Sequence, residues 1–369
     1  MIDKGLLKQM CLEINRNTWF DLAMIEKDYY ITEFFRELQN CQDVWLMFKG
    51  WTCLNKVYLW YYRLSEDIDF SVYRKKLKEL DWLSNNQQEK ERRKIWEEIK
   101  KVIDDCFVHK LWLTEVPFKD KSWAINFLFN KAKMLKLFYK YESVFDNNQT
   151  NTIQMEITMM GLPKEKPNLL KVNHLFHIWW EDFFNEEIYT SCYNINEVVS
   201  EKLRCSFWRF KKDADNNPVV KIAIRDLFDL YYMATKQKEL KGKWFFWWED
   251  DKFLELFLQK NLSDIINKWA KTKDYTINFI WKEVKENFPE DIQYALYEIE
   301  QQHWDLHIVL NNPISADFLR WDNIRKTIYF VGWEQENLKK YIKRKYKDNQ
   351  VIQNLKLEDH LETYLNAII

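Results

Sequence analysis

The sequence predicts an α/β protein: a mixed sheet with flanking helices, followed by a helical lobe and a mainly helical C-terminal extension. Three stretches carry that prediction. "VWLMFKG" (44–50) is a short apolar run ending in glycine, as expected of a buried strand that feeds a turn. "EDIDFSV" (66–72) alternates acidic and apolar side chains with period two, the pattern of a strand with one polar face. "MLKLFYKYESVF" (134–145) and "TNTIQMEITMM" (150–160) alternate on either side of "DNNQ", which predicts a hairpin.

The remaining elements follow in order. Residues 6–40 have apolar positions such as Leu22, Ile25, Tyr29, Phe34 and Leu38 at roughly helical spacing, and predict helix. Residues 52–60 predict a short helix between the first two strands. From 74 to 105 the chain is highly charged and lacks glycine and proline, so "NNQQEKERRKIWEEIKK" predicts a solvated helix or helical hairpin outside the core. After "GLPKEKP" the pattern turns helical, with "INEVVSEKLRCSFWRF" and "VVKIAIRDLFDLYYMATK" as two helices joined by "KKDADNNP". Beyond 244 come helical segments and a possible strand at "KTIYFVG". The expected domains are 1–165 for the sheet, 166–243 for the helical lobe and 244–369 for the extension.

Composition narrows the class. With 47% hydrophobic and 31% charged residues the chain reads as globular, and no apolar run approaches the roughly 18 residues of a membrane span. The N-terminal stretch lacks an export signal, so a cytoplasmic protein is expected. Six cysteines (11, 41, 53, 106, 192, 205) form no CxxC pair, which argues against a zinc ribbon and a disulfide framework. His174 with His177, and His303 with His307, share helical spacing but lack acidic or cysteine companions, so zinc is not expected. The net charge of −1 provides no global attraction to nucleic acid. Any RNA contact would come from a patch such as "LKKYIKRKYKD" (338–348), whose six basic residues more often form a solvated helix.

Five glycines stand beside nineteen tryptophans, together 24 of 369 residues. That total is close to the roughly 7% that glycine alone takes in an average protein. Trp51 and Trp60 sit where a turn or a close backbone approach would favour glycine. The counts therefore predict that a share of the tryptophans are glycines, written in a codon that the source cell reads differently. The rival explanation is a protein rich in tryptophan.

The chemistry lies in the carboxylates. Asp67 and Asp69 stand two apart on the predicted strand, so both side chains point to one face, while Glu66 and Ile68 point to the other. Two like charges at that spacing call for a cation, and hard carboxylate oxygens suit Mg²⁺, which takes one or two carboxylates plus substrate phosphates. Glu156, flanked by apolar residues on a neighbouring strand, wants a partner, and a shared metal would supply it. A bare DxD is more often the acidic face of an edge strand. Here it has company: the turn at Gly50 and Thr52, then Arg63 and Ser65, precede it within seventeen residues. Backbone N–H groups opening a helix, helped by a hydroxyl such as that of Thr52, can hold phosphates. Phosphate and metal sites side by side are what nucleotidyl transfer requires.

"FKGWTCLNKVYLWYYRLSEDIDFSV" resembles the "FKGGT…RxSEDIDL" signature of the AbiEii toxin family of nucleotidyltransferases. "INEVVSEKLRC" resembles that family's "EIxAEKL" helix and "IRDLFDLYYM" its "RDxxDLYxL" helix, in the same order, so the resemblance spans roughly residues 20–236. It implies the nucleotidyltransferase fold and a Mg²⁺-dependent transfer of a nucleotide from a nucleoside triphosphate. It also implies an RNA acceptor, the acceptor end of tRNA, and a toxin of a type IV toxin–antitoxin (abortive infection) pair, whose antitoxin is a transcriptional repressor encoded nearby. By the same resemblance Gly50, Thr52 and Ser65 would hold phosphate, Asp67 and Asp69 metal, Lys202 the nucleotide phosphates, and Asp226 would take the proton of the attacking hydroxyl; Glu156 as a third metal ligand rests on its strand context. The plainer alternatives are that Glu201 and Lys202 are surface residues and that Arg225 and Asp229 form an ordinary i,i+4 ion pair. The sequence departs from the signature at Trp51, where the family has its second glycine. A tryptophan there favours a catalytically inactive nucleotide- or RNA-binding protein with the same fold. A protein acceptor in place of RNA is also compatible with the sequence.

Overall fold

The computed structural model describes residues 2–18, 20–41, 45–73, 83–116, 128–129, 132–145, 151–159, 165–208, 210–212, 218–220 and 228–233, with isolated positions at 77, 80, 163, 235, 253, 256 and 344. The chain divides into two compact units, Met1–Val198 with His307–Leu310, and Val199–Leu306 with Asn311–Ile369.

The first unit is built on a mixed sheet of eight strands. Strand β1 (Leu46–Lys49) runs antiparallel to β2 (Asp67–Val72), which lies parallel to β6 (Thr152–Thr158). β6 pairs antiparallel with β5 (Met134–Lys140), closing the predicted hairpin, and the short strands β3 (Thr114–Glu115) and β4 (Leu128–Phe129) both pair with β5. On the other side of β1, β8 (Ile188–Cys192) is parallel to it and pairs with the edge strand β7 (Asn168–Val172).

Period two sorts the sheet into two faces. Phe48, Ile68, Phe70, Leu137, Met155 and Ile157 point to one face and are buried. Phe34 and Phe35 of helix α2 (Leu22–Gln39) pack there, with Phe34 stacked on Phe107 at 4.3 Å between ring centres. Each such side chain contributes about 1.5–3 kcal/mol on leaving water. The opposite face carries Asp67, Asp69 and Glu156.

Four expectations change. Residues 6–40 are two helices, α1 (Lys4–Thr18) and α2, because the Asp21 carboxylate caps α2 by accepting the Met24 N–H at 3.1 Å. The charged stretch forms helix α4 (Asn85–Asp104), opened by a Ser84–Gln87 capping box, and it is not excluded from the core: Ile95, Trp96, Ile99 and Ile103 are buried. The chain after "GLPKEKP" returns to the sheet as β7 and β8 before it becomes helical at α5 (Ile195–Trp208). At the start of the last predicted helix, Val219 and Val220 join Pro218 of the linker in strand β10 (Pro218–Val220), paired with β9 (Phe210–Lys212), whereas 228–233 are helical. The short helix after β1 consists of α3 (Gly50–Cys53) and a π-helical turn, Leu54–Tyr58. "KTIYFVG", His303, His307 and, apart from position 344, the basic stretch 338–348 lie outside the described residues. No described helix is long and apolar enough to cross a membrane.

Candidate active site

The site begins where β1 stops. Gly50 has φ +75°, a left-handed conformation that turns the chain directly from strand into helix α3. Antiparallel pairing sets Lys49 opposite Asp69, and the Asp69 side chain folds over the glycine. A Cβ added at Gly50 would run into Asp69 Oδ2 and stand 2.9 Å from that residue's Cβ and Cγ. The glycine is therefore required twice, by its backbone angle and by the carboxylate lying against it.

Thr52 ties the turn to the carboxylate strand. Its buried hydroxyl donates to the Asp67 carbonyl and is 2.9 Å from Ser65 Oγ. Trp51 is half-buried, and its indole lies under the Arg63 guanidinium, 4.6 Å from Cζ to the ring centre. That distance is in the range of a cation–π contact. Arg63 also donates to the Leu64 carbonyl at 2.9 Å.

Strand register assembles the carboxylates. Asp67 is exposed and Asp69 half-buried on the same face of β2, and parallel pairing puts Glu156 beside Asp69. Lys136 of β5, opposite Glu156, reaches it with an ion pair of 2.7 Å. A row Lys49–Asp69–Glu156–Lys136 thus crosses four strands. Among the described residues no group of three or more His, Cys, Asp or Glu side chains is placed to hold a metal ion. Asp67 and Asp69 nevertheless fit Mg²⁺ as a donor set, two hard oxygen ligands on one face beside the half-buried Gly50 turn, because Mg²⁺ takes its other ligands from water and phosphate. The partner of Glu156 in this structure is Lys136. No sequence pattern announced that lysine; cross-strand register reveals it.

A family model described as the nucleotidyl transferase AbiEii toxin of type IV toxin–antitoxin systems matches residues 35–306. The chain belongs to the AbiEii nucleotidyltransferase toxin family. No curated protein matches it. Among solved structures it is similar to MenT4, a nucleotidyltransferase toxin from Mycobacterium tuberculosis H37Rv, at 15% identity over 74% of this chain and 73% of that one, with a TM-score of 0.42. That likeness is too loose to bear on mechanism.

Sequence reasoning missed the support beneath the AbiEii turn. Lys56, in the π-helical turn behind Gly50, is fully buried and meets Asp28 of α2 at 2.7 Å. Its ammonium also donates to Thr32 Oγ1 at 2.7 Å and to the Tyr61 hydroxyl at 2.8 Å, while the Lys56 carbonyl accepts from the backbone N–H (2.8 Å) and the side-chain amide (2.7 Å) of Asn173. Burial pushes the Lys56 ammonium below the ordinary lysine range, and the attraction of Asp28 pulls it back. A lysine in a helix reads as a surface residue, so sequence held no signal for this pair. Nearby His174, also buried, accepts the Phe176 N–H at Nδ1 (3.2 Å) and faces Glu33 across 3.6 Å. Burial lowers its pKa first, against the raising effect of Glu33.

In the second unit Lys202 is buried on α5, and Asp229 is buried in the helical segment 228–233. Asp226 lies outside the described residues.

Proposed function

We infer that this toxin transfers a nucleotide from a nucleoside triphosphate to an RNA acceptor, the acceptor end of tRNA. The observation that carries the reading is the placement of Asp69 over the Gly50 turn, with Asp67 on the same face. Asp67 and Asp69 would hold Mg²⁺, which when bound neutralises the triphosphate charge and polarises the phosphoryl oxygens. The backbone at Gly50, with Thr52 and Ser65, seats phosphate, and Lys202 adds a cation for the nucleotide phosphates. An acceptor hydroxyl then attacks the α-phosphorus. An O–P bond forms, the bridge to the β-phosphate breaks, pyrophosphate leaves, and Asp226 takes the hydroxyl proton. Glu156, held by Lys136, keeps the acidic row in register and serves the metal indirectly. As a type IV toxin the protein would answer to an antitoxin, a transcriptional repressor encoded nearby.

One observation favours a different reading. The Trp51 indole, packed against Arg63, occupies the turn where phosphate would lie, which suits a protein that binds nucleotide or RNA without turnover. The two separate in one assay. Incubation with labelled nucleoside triphosphates, Mg²⁺ and tRNA is expected to label the RNA, and Asp69→Ala to abolish the label. Label that survives the substitution contradicts the mechanism, and nucleotide binding without label selects the second reading.

A further inference from the structure

A helix that ends in a left-handed residue usually has glycine there, because a Cβ at positive φ crowds the neighbouring carbonyl. Two helical segments of this chain end that way, with the same spacing. The first is the π-helical turn Leu54–Tyr58: the Leu59 N–H bonds to the Leu54 carbonyl (2.9 Å), residue 60 follows at φ +51°, and the Tyr61 N–H bonds to the Asn55 carbonyl (3.2 Å). The second continues α4 as a π-helical segment, Asp105–Lys110: the Leu111 N–H bonds to the Cys106 carbonyl (3.1 Å), residue 112 follows at φ +58°, and the Leu113 N–H bonds to the Phe107 carbonyl (2.9 Å). In both, the residue at the glycine position is tryptophan.

Neither indole repays the strain with burial, since Trp60 is 60% and Trp112 80% exposed. The other non-glycine residues at positive φ among the described residues are Tyr61 and Ala132. Tyr61 is held by its buried hydroxyl, which donates to the Asn173 carbonyl at 2.6 Å, and Ala132 carries only a methyl group. Trp96 shows what a retained tryptophan looks like: 2% exposed, with its indole N–H donating to the Ala132 carbonyl at 2.8 Å.

We propose that residues 60 and 112 are glycine in the protein its source cell makes, written in a triplet other than UGG, and that residue 96 is a true tryptophan written UGG. The triplet is UGA, which some variant codes read as tryptophan and which differs from the glycine codon GGA by one base. Substituting glycine relieves both helix ends and moves the composition toward the ordinary glycine share. A cell that reads UGA as a stop makes no full-length chain, so the toxin is confined to cells that read it as an amino acid. None of this depends on the transfer activity, and a failed transfer assay leaves it standing.

Trypsin cuts after Lys56, Arg63, Lys94, Lys100, Lys110 and Lys119, so three peptides report the three positions. Mass spectrometry of the protein isolated from cells that carry the gene, with its codons read alongside, is expected to show glycine in peptides 57–63 and 111–119 and tryptophan in 95–100. Tryptophan mass in either of the first two, UGG at codon 60 or 112, or any other triplet at codon 96 overturns the proposal.

Discussion

Gly50→Ala strikes the place where backbone and carboxylate meet. The native φ of +75° costs an L side chain about 1–2 kcal/mol, since Cβ crowds the following carbonyl. The new methyl also meets Asp69, whose Cβ and Cγ stand 2.9 Å from where it would be placed, and overpacking of that kind typically costs about 1–3 kcal/mol. Together the variant should lose about 2–5 kcal/mol from a total that for most domains is about 5–15 kcal/mol. If the Asp69 carboxylate swings aside, only the backbone cost remains, about 1–2 kcal/mol, but the carboxylate proposed to hold the metal has then left its position. In that case activity falls further than stability explains. Urea unfolding, with an unchanged slope and a lower midpoint, measures the first quantity, and transfer of label at a urea-free temperature where both proteins are folded measures the second. A Gly50→Ala protein as stable and as active as the parent would refute the reasoning.

Trp60→Gly and Trp112→Gly should each raise stability by about 1 kcal/mol, read as a higher urea midpoint, because each relieves a left-handed residue without emptying a core. Lys56→Met strands Asp28 in the interior and should cost about 3–5 kcal/mol, whereas the double variant Lys56→Met with Asp28→Leu should recover most of that loss in the same titration. His174 has a depressed pKa, so below its ordinary value of about 6.5 the unfolded chain binds a proton that the folded one refuses. Its contribution is therefore complete above that pH and is lost as pH falls below it, with a slope of at most about 1.4 kcal/mol per pH unit. His174→Asn keeps an acceptor for the Phe176 N–H, and the difference between its stability and the parent's should be constant above about pH 6.5 and change with pH below it.

Period-two alternation made the central strands legible, because β2, β5 and β6 each have one apolar and one polar face, and the same alternation put Asp67 and Asp69 on one side. What hid the rest differed from place to place. In α4 the buried Ile95, Trp96, Ile99 and Ile103 form a narrow stripe that surrounding charges outweigh in any average. The α1–α2 break depends on one capping carboxylate, Asp21, in an otherwise continuous apolar rhythm. Strand β7 is an edge with its Leu169 side chain exposed, so it lacks the hydrophobic run that marks a buried strand. The ion pairs Glu156–Lys136 and Lys56–Asp28 join residues distant in sequence, and only strand register and helix docking bring them together. Glu156 shows the consequence: its need for a partner was legible, but the identity of that partner was not.

The claim beneath all of this is that Asp67 and Asp69 grip a divalent cation beside the Gly50 turn. Mn²⁺ in place of Mg²⁺, diffused with a non-hydrolysable nucleoside triphosphate into crystals of the protein, would locate the cation by anomalous scattering. A peak bonded to both aspartates and to phosphate oxygens is the predicted result. Nucleotide bound with the peak elsewhere, or with no peak at those carboxylates, would contradict it.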